Sequence, residues 1–265
     1  MHQRAIDRFN LHDRVIWVVG GAGLLGSAVC RALAEHGANV IVSDLRSDDA
    51  MKLAESIRAD GMKAVAKTLD AADEPSIIEC CRQVVDDHNR LDACVNMTFR
   101  YTKTAWIEMT TAEWEHGMRV SLTGAFLVGR EAAKAMLPNG RGSIVHFSSM
   151  YGVVSPDPAM YPPHITPNPI DYGVAKAGVL QMVRYHAVAM AKQGVRVNAI
   201  IPGPFPYPWS QQKDDEFMNR LAAKVPMGRV GNADEIAGAV VYLCSDAASF
   251  VTGTQIAIDG GWTAW

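Results

Sequence analysis

The chain has 265 residues, of which 49% are hydrophobic and 20% are charged, and its formal net charge is −3. This apolar content is too high for a disordered protein, and the slightly acidic balance excludes the basic surface typical of nucleic-acid binding. No apolar run approaches the ~18 residues that a membrane helix needs, so we expect neither a nucleic acid nor a membrane as a partner.

Short β-branched runs alternate with helical stretches along the chain. In chain order, the pattern predicts strands at residues 15–19, 40–44, 64–69, 91–96, 143–148, 195–201 and 255–258. It predicts helices at 25–36, 48–60, from 73 onward, at 111–137, at 172–192 and from 232 onward. The strands are apolar over their full length, which is typical of a parallel sheet covered on both faces. The sequence therefore predicts an α/β fold with a doubly wound, seven-stranded parallel sheet.

No linker or repeat divides the chain, so we expect a single domain over residues 1–265. Two proline-rich segments, 151–171 and 202–225, follow predicted strands. We expect both to be substrate loops, because such sheets bind ligands at the carboxyl ends of their strands. The five cysteines are odd in number and show no C-x-x-C spacing. They predict buried free thiols, no metal site and a cytoplasmic protein.

A glycine-rich turn joins the first predicted strand to the following helix. Its glycines, Gly20, Gly23 and Gly26, are spaced three apart, and such turns bend tightly and bring backbone N–H groups close to a pyrophosphate. Asp44 ends the next predicted strand, where a carboxylate accepts hydrogen bonds from the adenosine ribose and repels a 2′-phosphate. We therefore predict NAD rather than NADP as the cofactor, with Arg46 as the residue that could instead receive a phosphate.

Tyr172 and Lys176 lie four residues apart, on one face of a predicted helix, and such a pair alone often arises by chance. Together with the glycine turn and Asp44, however, the chain resembles the short-chain dehydrogenase/reductase family over residues 11–265. Y-G-V-A-K matches the family's Y-x-x-x-K, R-V-N-A-I-I-P-G matches the segment after the catalytic helix, and F-V-T-G-T-Q-I-A-I-D-G-G matches the C-terminal signature. The resemblance implies a single-domain Rossmann fold.

The resemblance also implies an NAD(H)-dependent oxidoreductase that interconverts a secondary alcohol and a ketone. Tyr172 would exchange a proton with the substrate oxygen, and Ser149 would hold that oxygen. Lys176 would bind the nicotinamide ribose and, with the positive nicotinamide, lower the pKa of the phenol from its usual ~10. Further cofactor contacts implied by the family are Leu25, Leu45, Asp70 at the adenine, Ala71, Asn96, Pro202, Gly203 and Phe205.

Several positions depart from the family pattern. The N-N-A-G segment reads N-M-T-F here, and Ser121 replaces the asparagine that helps to hold a relay water. Ser121 is expected to hold that water through its hydroxyl as a fourth catalytic residue, or the relay runs differently. These changes leave a second interpretation open: a catalytically impaired dinucleotide-binding protein that acts as a regulatory or partner subunit. Retention of Ser149, Tyr172 and Lys176 favours the enzyme.

The gap between Ser149 and Tyr172 is longer than is usual in the family, and aromatic and cationic residues surround it. We expect substrate contacts from Ser149, Tyr151, Arg100, His164 and Tyr207. Aromatic faces with a few cations suit a sugar or a sugar acid as the substrate. Two alternatives remain: these residues have only a structural role in the loops, or the substrate is a non-sugar ketone such as a 3-oxoacyl thioester.

The ending D-G-G-W-T-A-W and the segment S-S-M-Y-G-V-V-S-P-D resemble a branch whose members accompany bacterial nonulosonic-acid and flagellin-glycan synthesis. The two long predicted helices, 111–137 and 172–192, carry an apolar excess suited to pairing across a two-fold axis. We therefore expect a homotetramer or homodimer.

Overall fold

The computed structural model describes residues 4–209 and 211–265; residues 1–3 of the predicted domain and Ser210 of the predicted loop 202–225 lie outside the described residues. Within that description, seven strands form one sheet in the order β3-β2-β1-β4-β5-β6-β7, with every neighbouring pair parallel. The strands are β1 Val15–Val19, β2 Asn39–Asp44, β3 Lys63–Thr68, β4 Ala93–Asn96, β5 Gly142–Phe147, β6 Val195–Pro202 and β7 Gln255–Ile258. The predicted doubly wound parallel sheet is confirmed.

The helices also follow the predicted pattern closely. They are α1 Leu24–Glu35, α2 Ser47–Ala59, α3 Glu74–His88, α4 Thr111–Met118, α5 Ala125–Met136, α6 Ile170–Met190, α7 Asp215–Lys224 and α8 Ala237–Cys244. Local capping explains several of their ends: Asp73 accepts a hydrogen bond from the Ser76 N–H at the start of α3, and Thr110 and Glu113 form a capping box at the start of α4.

Two helical features differ from the prediction. The predicted helix 111–137 is interrupted by a π-helical turn over Arg119–Gly124, where a Cβ on Gly124 would lie 2.4 Å from the Ala71 carbonyl oxygen. Helix α7 was not predicted, because it lies inside the segment 202–225 and buries only Phe217 and Leu221. A stripe of two apolar residues is too short to reveal a helical period.

Both faces of the sheet are covered. Along β1, Val15, Trp17 and Val19 pack into one apolar cluster, with residues of α3, α5 and α6. Ile16 and Val18 point the other way, into a second cluster with residues of α1, α2 and α8. Because side chains alternate along a strand, the fully apolar sequence of β1 is explained by burial on both faces.

The order of the strands reverses at β1, which lies between β2 and β4. The glycine turn follows β1 and the segment after Asn96 follows β4, so both meet at the edge where open α/β sheets bind ligands. All five cysteines are buried free thiols, as predicted. No helix among the described residues is long and apolar enough to cross a membrane.

Candidate active site

The glycine turn has the geometry of a pyrophosphate cradle. Gly20 has a φ of +78°, which favours glycine, and a Cβ on Gly26 would lie 2.5 Å from the Gly20 carbonyl oxygen. Gly23 is the N-cap residue of α1, and no side chain caps the helix there. Because the first N–H groups of a helix have no partner within the helix, they are open to an anion. These residues fit a dinucleotide phosphate.

Asp44 and Arg46 form the corner where the adenosine ribose would lie. The Asp44 carboxylate is 8% exposed and accepts hydrogen bonds from the backbone N–H groups of Ala22 and Arg46, both at 3.1 Å. The Arg46 guanidinium lies beside it, with Nε 3.5 Å from Asp44 and a second ion pair to Asp49 at 3.1 Å. A carboxylate and a cation therefore lie side by side at this corner. The carboxylate fits a ribose hydroxyl, and the guanidinium could pair with a 2′-phosphate.

Four other predicted cofactor contacts lie at or just after the ends of β2, β3 and β4, at the same edge of the sheet. Leu45 is 61% exposed beyond the end of β2. The Asp70 carboxylate accepts a hydrogen bond from the Ala72 N–H at 2.8 Å, which orders the turn after β3. The next residue, Ala71, packs against Gly124 at the end of the π-helical turn. Asn96 is buried, and its Oδ1 accepts hydrogen bonds from the Thr98 N–H and hydroxyl at 3.1 and 2.8 Å.

Lys176 is more deeply buried than Ser149 and Tyr172. It lies on α6 with 2% exposure, and its Nζ donates to the carbonyl oxygens of Phe147 and Thr98 at 2.8 and 3.1 Å. Its Nζ also lies 5.9 Å from the centre of the Tyr172 ring, one turn earlier on the helix. The ammonium is therefore fixed between two strand ends, next to the phenol.

Ser149 and Ser148 have different partners. The Ser148 hydroxyl donates to the Lys176 carbonyl oxygen at 2.8 Å, which ties β5 to α6. The Ser149 hydroxyl accepts a hydrogen bond from the Tyr151 N–H at 3.1 Å, and its own proton is left for the oxygen of Tyr172 or of a substrate. This difference supports the choice of Ser149 as the residue that holds the substrate oxygen.

Burial dominates the electrostatics of the site. It raises the pKa of Tyr172 to about 12, against the opposing effect of the Ser149 hydrogen bond, and it lowers the pKa of Lys176 to about 7. The sequence led us to expect a lowered phenol pKa. In the protein alone the shift is upward, because desolvation exceeds the stabilisation that the neighbours give to a phenolate.

A cavity of about 740 Å³ connects the glycine turn with the catalytic residues and the two proline-rich segments. Its lining includes Gly20, Gly23, Leu25, Gly26, Ser149, Tyr151, His164, Tyr172, Lys176, Pro202, Gly203, Phe205 and Tyr207. Nine of the fourteen predicted cofactor residues and four of the five predicted substrate residues thus share one continuous space, whereas the cofactor residues that do not line it are Asp44, Leu45, Asp70, Ala71 and Asn96. Arg100 does not line it: that side chain is exposed elsewhere, and Lys103, three residues on, lies at the cavity instead.

The structure gives Ser121 a different partner from the expected relay water. Its hydroxyl donates to the Arg100 carbonyl oxygen at 2.6 Å and accepts from the Arg100 N–H at 2.8 Å. Ser121 is fully buried in the π-helical turn. Since its single proton is used by Arg100, the hydroxyl cannot at the same time donate to a relay water, and Ser121 acts here on the backbone of residue 100.

Sequence reasoning missed several residues of the cavity. Phe99, Tyr101 and Thr102 line it in the segment after β4, and Asp214 faces it from the start of α7. Asp214 lies 2.5 Å from His164, which joins the two proline-rich segments. The aromatic residues in N-M-T-F-R-Y were a visible signal, whereas Asp214 became relevant only once the two segments met.

Comparison with known proteins agrees with this geometry. The family model described as enoyl-(acyl carrier protein) reductase matches residues 21–263. The cis-4-hydroxycyclohexanecarboxylate dehydrogenase of Sinomonas cyclohexanicum is 35% identical over 253 residues, covering 95% of this chain and 97% of that protein. The 3-oxoacyl-(acyl-carrier-protein) reductase FabG of Thermotoga maritima is 29% identical over 251 residues, covering 95% and 98%.

A solved structure of similar shape is that of a gluconate 5-dehydrogenase from Burkholderia cenocepacia J2315 in complex with NADP and tartrate. It superimposes with a TM-score of 0.89 at 27% identity, covering 99% of this chain and 100% of that chain.

Proposed function

The chain belongs to the short-chain dehydrogenase/reductase family, and on that basis we propose that it is an NAD(H)-dependent enzyme that interconverts a secondary alcohol and a ketone. One observation carries the proposal. Ser149, Tyr172 and Lys176 line the same cavity as the uncapped glycine turn, so a dinucleotide on the turn and a substrate oxygen at Tyr172 would share one space. This arrangement favours the enzyme over an impaired regulatory subunit.

The chemistry follows from the protonation of the site. A bound nicotinamide dinucleotide supplies or accepts the hydride. With its pKa raised to about 12, Tyr172 is a phenol at neutral pH and donates a proton to the oxygen of a ketone during reduction. Ser149 holds the same oxygen with its free proton. Oxidation requires the phenolate, so we expect its rate to rise with pH in the alkaline range, while reduction stays level there.

We propose NAD as the preferred cofactor. The buried Asp44 carboxylate would accept the ribose hydroxyls and repel a 2′-phosphate. The adjacent Arg46 works in the opposite direction, and the Burkholderia neighbour carries NADP. The preference should therefore be moderate rather than absolute, about tenfold.

For the substrate we propose a small hydroxylated molecule with an anionic group. The cavity presents aromatic rings from Phe99, Tyr101 and Tyr207 together with the cationic Lys103. Aromatic faces pack against the C–H face of a ring or polyol, and a cation pairs with a carboxylate. The names of the Sinomonas and Burkholderia proteins point to hydroxy acids as well. A 3-oxoacyl thioester is the second candidate, favoured by the similarity to FabG.

We also propose that the chain forms a homotetramer or homodimer, in which α5 and α6 pair with a second copy. Exposed apolar residues on these helices support this: Phe126 is 42% exposed, Val174 41% and Val188 83%.

Five buried free thiols fit the reducing cytoplasm expected from the sequence. The segments 151–171 and 202–225 remain the proposed substrate loops.

The test is a screen of sugar acids, hydroxycycloalkane carboxylates and 3-oxoacyl thioesters with all four cofactor forms. We expect turnover of a hydroxy acid, with kcat/KM about tenfold higher for NAD⁺ than for NADP⁺. Tyr172→Phe should abolish turnover but leave NADH binding nearly intact, because it removes only the transferable proton. NADH binding without turnover of any compound would favour the regulatory subunit, and equal use of both cofactors would point to Arg46 as a phosphate partner.

A further inference from the structure

The segment of residues 99–103, which we call the aromatic segment, is fixed by two buried side chains. Ser121 on the π-helical turn holds both the N–H and the carbonyl group of Arg100, at 2.8 and 2.6 Å. Asp171, which directly precedes Tyr172, accepts a hydrogen bond from the Thr102 N–H at 3.1 Å. Ser121 and Asp171 are both fully buried. The segment is therefore fastened to the helix that carries the catalytic tyrosine.

The residues around Asp171 leave space for a buried carboxyl group. A Cβ on Gly117 of α4 would lie 2.2 Å from its Oδ2, so a glycine is required opposite it. Among the described residues, its Oδ1 and the Thr102 hydroxyl are both buried without a hydrogen-bond partner. Burial of polar groups with unmet hydrogen bonds costs free energy. A position that serves packing alone would be filled better by an apolar residue.

The fastened segment brings two aromatic rings against Tyr172. Phe99 and Tyr101 stack on each other with their ring centres 6.0 Å apart and 11° between the ring planes. Each meets Tyr172 edge-on, at 6.0 and 5.9 Å and at 76°. The orientation of the catalytic ring and that of the aromatic segment are thus linked.

The hydroxyl of Tyr101 is available to a ligand. Tyr101, Tyr172 and Tyr207 line the same cavity, and the hydroxyls of Tyr101 and Tyr207 form no hydrogen bond within the described part of the chain. Tyr101 contributes to the raised pKa of both other phenols, as expected for neighbouring groups. Buried or half-buried tyrosine hydroxyls usually have a partner. A substrate in the cavity can supply one here.

We propose that Tyr101 is a specificity-determining residue whose hydroxyl donates a hydrogen bond to a second oxygen of the substrate, near the reacting carbon. Asp171 and Ser121 are positioning residues that hold Tyr101 there. The inference rests on the proposed function and narrows its substrate class to diols, polyols and hydroxyketones over alcohols with a single oxygen. It also gives a common role to two departures from the family pattern, N-M-T-F and Ser121: both belong to the structure that positions Tyr101.

The first experiment compares kcat/KM for cis-1,2-cyclohexanediol and cyclohexanol with NAD⁺. Tyr101→Phe keeps the ring contacts but removes the hydroxyl, so the preference for the diol should fall about tenfold, the size of one hydrogen bond. Tyr242→Phe makes the same chemical change on α8, outside the cavity, and should leave the preference unchanged. An unchanged preference in Tyr101→Phe would overturn the proposal.

The second experiment separates positioning from simple stability. Asp171→Ala removes the acceptor for Thr102 and should lose the diol preference, whereas Asp171→Asn keeps an acceptor oxygen and should retain most of it. In a Tyr101→Phe background, Asp171→Ala should cause no further loss of preference. If Asp171→Ala lowers kcat/KM equally for both alcohols in both backgrounds, the role of Asp171 is merely structural, and this result would contradict its assignment as a positioning residue. If Asp171→Ala does not fold, Ser121→Ala replaces it and releases Arg100 instead.

A failure of the proposed dehydrogenase function can be distinguished from a failure of the role assigned to Tyr101. If the wild-type protein oxidises neither alcohol, the dehydrogenase proposal fails, and calorimetry on the NADH-saturated protein then decides the role of Tyr101. We expect the dissociation constant of the diol to rise about tenfold in Tyr101→Phe. A diol that binds both proteins equally, or neither, would overturn the assignment of Tyr101.

Discussion

Burial sets the protonation of Tyr172 and Lys176, the two residues that define the candidate active site. Both groups are desolvated on α6, and in each case desolvation is the largest cause of the shift and favours the neutral form. Lys176 keeps two carbonyl partners, so it is held in place whether or not it carries a charge. At neutral pH Tyr172 is therefore a neutral phenol, and Lys176 is close to the midpoint of its titration.

The shifted pKa of Lys176 predicts how stability depends on pH. A lysine in the unfolded chain titrates near ~10.4, whereas Lys176 in the folded protein titrates at about 7. Between these values the unfolded chain binds a proton that the folded chain does not, so stability rises with pH across this window. Without cofactor, the free energy of unfolding should gain on the order of 3 kcal/mol between pH 7 and pH 9.5 from this residue.

Urea unfolding of the wild type and of Lys176→Met at both pH values measures this contribution. The difference in unfolding free energy between the two proteins should change by about 3 kcal/mol between pH 7 and pH 9.5, because the contributions of the other titrating groups cancel. A pH-independent difference would show that Lys176 titrates normally in the folded protein.

At the scale of single elements, the first turn of α1 depends on contacts that leave no room for side chains. A Cβ on Gly26 would lie 2.5 and 2.7 Å from the carbonyl oxygens of Gly20 and Gly21, so the backbone of the turn would have to move. Gly238 in α8 is an opposite case: it is exposed, and nothing lies within 4 Å of an added Cβ.

These two glycines give a matched pair of substitutions. Gly26→Ala should weaken NADH binding at least tenfold and lower the melting temperature, because it displaces the cradle and the helix together. Gly238→Ala should leave binding unchanged and stabilise the protein by up to about 1 kcal/mol, since alanine is the better helix former. Fluorescence titration with NADH and calorimetric melting measure both effects. Wild-type affinity in Gly26→Ala would contradict the role of the turn.

At the scale of the whole molecule, several apolar or aromatic side chains on α5 and α6 are exposed. Val188 and Tyr185 on α6 are 83% and 72% exposed, and Phe126 on α5 is 42% exposed. Apolar patches of this kind mark interaction surfaces more often than free surface.

Light scattering at micromolar concentration should therefore give the mass of a tetramer or dimer. Val188→Glu would place a charge on that surface and should lower the mass. Ile78→Glu, an equivalent change at a 41% exposed position on α3, should not alter it. A monomeric wild type would refute the assembly.

Local patterns in the sequence determined the sheet, the order of its elements and the position of the cofactor turn. The strands are apolar because both faces are buried, and Gly20, Gly23 and Gly26 are required by the turn itself, so each signal is contained within a few consecutive residues. The pair Tyr172–Lys176 could be recognised for the same reason, since one helical turn sets its geometry.

Only the tertiary structure decided how these parts work together. The bond from Thr102 to Asp171 spans 69 positions, that between His164 and Asp214 spans 50, and Ser121 reaches back 21 positions to Arg100. No local pattern encodes such contacts, because they form only after the sheet has brought the loops to one edge. The upward shift of the Tyr172 pKa in the protein without cofactor has the same origin: desolvation depends on what the whole fold packs around a group, and neighbours along the chain do not reveal it.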